Sequence, residues 1–190
     1  MPSQLLVAWN AMIMACTQFE HNHKALELFQ KIWQSGMEPN HASYVSLLKN
    51  CCTLVALDVG KLCHSSCIET GDNKYLQVSS TLVDMYSKCG SIEDARKVFD
   101  IMPTKNVVVW NTVISGYSEN IKEAFKLLKK MVQYELEPDE VTFLNILKAC
   151  NNQSDLEHCK LVNIFCVESG YETDLYVGST LVDVYATSGS

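Results

Sequence analysis

The sequence predicts an all-α fold, a right-handed solenoid of stacked helix-turn-helix repeats. Three observations predict it. Phrases of near-identical wording recur about a hundred residues apart, apolar stripes of helical period recur inside that interval, and Pro and Gly fall at regular breaks between the stripes. Val-Ala-Trp-Asn-Ala-Met-Ile at 7–13 returns as Val-Val-Trp-Asn-Thr-Val-Ile at 108–114, 101 residues on. Ser-Thr-Leu-Val-Asp-Met-Tyr at 80–86 and Leu-Leu-Lys-Asn-Cys at 47–51 return at 179–185 and 146–150, each 99 residues on. A lone hairpin of this length cannot bury its own apolar faces, whereas stacked neighbours can, so the repeat implies a continuous core.

Each unit reads as a helix A followed by a helix B. The first unit, 6–40, carries Trp9 on helix A and the stripe Ala25, Leu28, Phe29, Ile32 on helix B, and Gly36 suits a left-handed helix end. Glu38-Pro39-Asn40 then stops the chain, and Asn40 can cap the next helix. The second unit, 41–75, places Gly60 inside helix B, where close packing against a neighbour accounts for it, and Gly71 at the helix end. The third, 76–106, starts helix B at Ser91-x-x-Asp94, carries the stripe Ala95, Val98, Phe99, Met102, and stops at Pro103. The fourth, 107–139, has Trp110 on helix A, the stripe Ala124, Leu127, Leu128, Met131 on helix B, and Glu137-Pro138-Asp139 as its stop. The fifth, 140–174, has a capping box at Ser154-x-x-Glu157 and ends near Gly170. The sixth, 175–190, holds a helix A alone, which marks the chain as part of a longer tract or a degenerate product. Its apolar face should then be exposed around Leu181, Val184 and Tyr185. Trp9 and Trp110 are expected to pack in the core.

The chain has 190 residues, 47% hydrophobic and 19% charged, which is a folding composition. No apolar run is long enough to span a bilayer. The N-terminal residues carry no signal core and no Arg/Ser-rich transit segment. A formal charge of −7 excludes binding to nucleic acid by a basic field alone. Nine cysteines without a C-x-x-C pair fit small buried apolar residues in a reducing compartment.

Three segments resemble plant pentatricopeptide-repeat proteins: Val-Trp-Asn-Thr-Val-Ile-Ser-Gly-Tyr at 109–117, Glu-Pro-Asp-Glu-Val-Thr-Phe at 137–143, and the run from Leu82 to Pro103. The unit lengths of 35, 35 and 31 residues resemble the P, L and S repeat types of the PLS subclass. On that resemblance 6–40 is P-type, 41–75 L-type, 76–106 S-type, 107–139 a shortened P-type, 140–174 L-type and 175–190 a truncated S-type, in one repeat domain. The resemblance implies sequence-specific binding of single-stranded RNA in a mitochondrion or chloroplast. It further implies target selection for C-to-U RNA editing, with a deaminase or accessory editing factor supplied in trans or by an extension. It implies no cofactor for the repeats themselves.

The family pairs a residue near the start of helix A with the last residue of the repeat to read one base. Carried over, the pairs are Asn10 with Asn40 for a pyrimidine, Ser80 with Asn106 for adenine, and Asn111 with Asp139 for uridine; Ser179 stands alone. The L-type repeats offer Val45 with Tyr75 and Leu144 with Asp174, and Val45 and Leu144 cannot hydrogen-bond a base edge. The implied RNA, from 5′ to 3′, is pyrimidine, any, adenine, uridine, any, purine. Tyr75, where the second triplet has Asp174, is a departure from the pattern.

No catalytic constellation is expected, since the H-x-E and C-x-x-C of zinc deaminases are absent. His21-Asn22-His23 is read as a solvated turn. Cys63-His64-x-x-Cys67 is read as packing, because Val162, Asn163 and Cys166 stand in its place one period later. The rival readings are a protein-binding scaffold of tetratricopeptide type, or an inactive remnant.

Overall fold

The structure, a computed structural model, describes residues 2–19, 21–36, 39–151 and 156–187. Among the described residues there are eleven α-helices, two short 3₁₀ turns and no strand. The helices are α1 (Pro2–Gln18), α2 (Asn22–Gln34), α3 (His41–Leu54), α4 (Leu57–Thr70), α5 (Leu76–Lys88) and α6 (Ile92–Ile101), followed by α7 (Val107–Gly116), α8 (Ile121–Gln133), α9 (Glu140–Asn151), α10 (Leu156–Glu168) and α11 (Leu175–Thr187). They form two compact units, 1–104 and 105–190.

In the first unit α1, α3 and α5 pack in succession, each joined to its B helix α2, α4 or α6. In the second, α7, α9 and α11 pack in succession and α8 and α10 sit behind them. The apolar stripes make these contacts. Ala25, Phe29, Ala95, Phe99, Ala124 and Leu128 are all buried, as the helical period requires. Trp110 is wholly buried, and its ring lies 5.8 Å from that of Tyr134.

The stops follow the sequence signals. Asn40 caps α3 in a reciprocal capping box with Ser43. Gly36, Gly71 and Gly170 take positive φ, as does Gly90. Gly60 lies buried under α5, where a Cβ would collide with the Met85 thioether, so close approach of α4 and α5 explains it.

Three expectations change, and one lies outside the described residues. Ser91 precedes α6 without a side-chain cap: its oxygen accepts no N–H of the first turn, and its hydroxyl donates to Asp94 Oδ2 at 2.9 Å. Ser154 lies outside the described residues. Asn22 and His23 begin α2 rather than standing in a turn, and His21 precedes them. On α11, Val184 is buried, not exposed, because Val177 and Val184 lie seven residues apart on the face that meets α9. The exposed apolar residues of that helix are Leu175, Tyr176 and Val182.

The cysteine region is packed. Cys63 and Cys67 are both buried, and His64 Nδ1 lies 3.0 Å from the Tyr86 hydroxyl. Burial pushes the Cys51 thiol up to about 12, where it stays protonated. Among the described residues no group of three or more His, Cys, Asp or Glu side chains is placed to hold a metal ion. No helix among them is long and apolar enough to cross a membrane.

Candidate nucleic-acid interface

The second unit builds the most complete arrangement of the expected base-reading residues. Asn106 is exposed at the N-terminus of α7, where its side chain accepts the Val109 N–H at 3.1 Å. Sequence reasoning did not assign Asn106 this capping role, although an Asn just ahead of Val-Val-Val-Trp is a recognisable start signal. Five residues on, Asn111 is buried on α7, 8% exposed. Its amide Nδ2 donates to Asp139 Oδ1 at 2.8 Å, and its Oδ1 accepts the Thr142 hydroxyl at 2.6 Å. The expected pair is therefore in direct contact, across 28 residues of sequence.

Asp139 is held on two sides. Its Oδ1 also accepts the Thr142 N–H at 2.9 Å, and its own N–H donates to Thr142 Oγ1 at 3.1 Å, a capping box at the start of α9. Burial alone would raise its pKa, but the hydrogen bonds from Asn111 and Thr142 outweigh burial and hold it below the ordinary carboxylate value. The group is thus a carboxylate at neutral pH. Asn145 completes the set by donating to the Asn111 carbonyl at 3.2 Å.

In the first unit Ser43 stands 99 residues before Thr142 and repeats the device. Asn40 Oδ1 accepts the Ser43 N–H at 3.1 Å, and the Asn40 N–H donates to Ser43 Oγ at 3.2 Å. Asn10 belongs to α1, but its side chain lies outside the described residues. Ser80 is half-buried on α5 and its hydroxyl donates to the Leu76 carbonyl at 2.6 Å. Ser179 is exposed on α11 and donates to the Tyr176 carbonyl at 3.0 Å. A serine in this back-bonded state presents its oxygen lone pairs outward, and its proton reaches a ligand only by rotation. Ser80 stands in the first unit and Asn106 in the second.

The positions expected to lack an edge reader differ between the two triplets. Val45 is buried and Leu144 half-buried. Asp174 caps α11 by accepting the N–H groups of Tyr176 and Val177. Tyr75, one period earlier, makes no such cap and is 54% exposed.

One feature of the face escaped sequence reasoning. Val7, Val108, Val141 and Tyr176 are exposed, and each precedes Asn10, Asn111, Leu144 or Ser179 by three residues. That spacing puts each on the same side of its helix as the residue it precedes. The available signal was an apolar residue recurring at one register of helix A, where the expected core stripe has no place for it.

Comparison with known proteins shows the family and the fold. The family model described as PPR repeat family matches residues 6–53 and 105–152, and one described as PPR repeat matches 78–107. Among relatives from Arabidopsis thaliana, one pentatricopeptide repeat-containing protein is 36% identical over all of this chain and 28% of its own length. A second, named mitochondrial, is 38% identical over 96% of this chain and 18% of its own. A third, named chloroplastic, is 34% identical over 97% and 23%. The chain thus spans about a quarter or less of the length of these relatives. The crystal structure of the pentatricopeptide repeat protein PPR10 from maize matches 96% of this chain and 25% of its own, at a TM-score of 0.69 and 21% identity. A structure of PPR10 in complex with an 18-nt psaJ RNA element matches at 0.68. The likeness shows the fold, an α-solenoid of helix-turn-helix repeats.

Proposed function

The chain belongs to the pentatricopeptide-repeat family, and we propose on that premise that it binds single-stranded RNA, one base per hairpin, through side chains on its A helices. The observation that carries this reading is the Asn111–Asp139–Thr142 arrangement. Asn111 spends one amide hydrogen on Asp139 and keeps a second, while Asp139 keeps its second carboxylate oxygen. A donor beside an acceptor complements uracil, whose N3–H meets the carboxylate and whose carbonyl takes the amide. Cytosine presents a bare N3 lone pair to the same carboxylate and is disfavoured. The exposed Val108 and Val141 supply apolar surface for the base faces.

By the family's pairing, Asn10 with Asn40 accepts a pyrimidine, Ser80 with Asn106 adenine, and Ser179 a purine. We further propose the PLS subclass and a role in choosing cytidines for C-to-U editing, with the deaminase acting from another protein or another segment of the full gene product. The alternating unit lengths support the subclass. Relatives named mitochondrial and chloroplastic support an organellar site of action. These 190 residues are then a recognition element, not an enzyme.

A swap at one pair tests the reading. Asn106→Asp keeps a side-chain oxygen for the Val109 N–H, so α7 stays capped. It should move preference at the third base from adenine toward guanine, whose N1–H and N2–H₂ donors suit a carboxylate. Equal loss for all RNAs, or no binding at low salt, would remove base reading. One observation favours a second reading as a protein-binding scaffold. Leu62 and Ile68 on α4 are exposed, and Leu161 and Val167 on α10, 99 residues later, are exposed too. Binding without RNA dependence would favour that scaffold.

A further inference from the structure

We propose that the groove between α1, α3 and α5 holds the base opposite the 41–75 repeat by stacking on the His41 ring, with Tyr75 behind it, so that this position favours a purine without reading its edge. The inference rests on the RNA-binding reading and gives a task to a repeat whose Val45 can make no base-edge hydrogen bond.

His41 opens α3 and Tyr75 immediately precedes α5, and the fold brings them together across 34 residues of sequence. Their ring centroids lie 5.0 Å apart with the planes inclined by 37°. Both side chains are exposed, so the pair forms a wall and not a core contact. His41 lines a groove of about 330 Å³, within the size range of small-ligand clefts. Val45 forms part of the groove surface, and Gln18 from α1, Gln77 from α5 and Lys49 from α3 border it. The buried valine supplies an apolar surface that selects for no base. The amides and the lysine can meet ribose and phosphate oxygens, which carry no sequence.

The second triplet serves as an internal comparison. The counterparts of His41 and Tyr75, 99 residues on, are Glu140 and Asp174. Both rings are replaced by carboxylates there, and Asp174 uses its oxygen to cap α11. Carboxylates cannot stack a base. The two L-type repeats, alike in lacking an edge reader, therefore differ in whether they hold a base at all. Stacking strength grows with ring area, so the first position should favour purine over pyrimidine.

The test uses the 190-residue chain and RNAs carrying 2-aminopurine at the second or the fifth base, at low salt. Fluorescence should be quenched on binding at the second base and unchanged at the fifth. An abasic second position should weaken binding about tenfold, and an abasic fifth should not. His41→Ala with Tyr75→Ala should abolish the quench and the abasic penalty while uridine preference at the fourth base persists. His41→Phe should restore both. RNA bound with uridine preference but with no quench at the second base overturns the stacking assignment alone. No binding of any RNA by the unaltered chain overturns the RNA reading beneath it.

Discussion

Asp139 answers to two partners at once, and its two bonds carry different consequences. The bond to Thr142 caps a helix, while the bond to Asn111 presents a donor–acceptor edge. Asn can cap as Asp does, as Asn40 shows, so Asp139→Asn should leave thermal stability within about 0.5 kcal/mol at neutral pH. The same change should move preference at the fourth base from uridine toward cytidine, read by titrating RNAs that differ at that base. Acid separates the variants. The Asp139 carboxyl titrates below its ordinary value of 3.8, so its stabilisation is present above that value and is lost as pH falls through the lowered one. The Asn variant should lack this part of the acid transition in circular dichroism. Thr142 is a positioning residue: its hydroxyl fixes which way the Asn111 amide faces. Thr142→Ala should lower stability by about 1–2 kcal/mol and reduce uridine selectivity, and Thr142→Ser should recover both. Selectivity unchanged in Thr142→Ala would show that the amide orients itself.

At the level of helices, the ends differ in quality. Val55 terminates α3 with φ of 53°, a left-handed conformation that a β-branched residue adopts under strain, and its side chain is exposed. Val55→Gly should raise stability by about 1 kcal/mol in chemical denaturation, since no packing is lost. An unchanged midpoint would mean that the backbone there relaxes. Burial also varies between helices of one class. Seven residues of α5 are buried, from Val78 to Tyr86, whereas on α11 only Val177 and Val184 are. Amide exchange in this chain should therefore be faster in α11 than in α5. Equal protection of the two would contradict it.

For the molecule as a whole, charge limits how RNA can be held. On the proposed RNA-binding reading, a chain of net charge −7 neutralises few phosphates, so its affinity is expected to come from base contacts on the A helices. Lysines on α8 are engaged locally: Lys126 pairs with Glu123 at 2.6 Å, and Lys129 lies 4.6 Å from the Phe125 ring centroid. Affinity in the micromolar range is expected, with log K falling against log salt at a slope shallower than about −3. A much steeper slope, measured by anisotropy over a salt series, would mean that a phosphate-binding surface dominates instead.

The helices, their order, most of their stops and the buried stripes were legible in the sequence, because each depends on neighbours within a few turns: a stripe at i, i+3, i+4, i+7, a Pro that cannot continue a helix, a Gly that accepts positive φ. The proposed base-reading positions came only from likeness to a family, since no local rule marks Asn111 and Asp139 as partners. Tertiary structure decided everything that crosses between hairpins. It brought Asn111, Asp139 and Thr142 into one network, set His41 against Tyr75, turned Val184 inward against α9, and pressed Gly60 under Met85. The contacts among these that cross between hairpins join residues 25 or more positions apart, and which side chains meet there is fixed by how one hairpin stacks on the next, a geometry that period and composition do not contain.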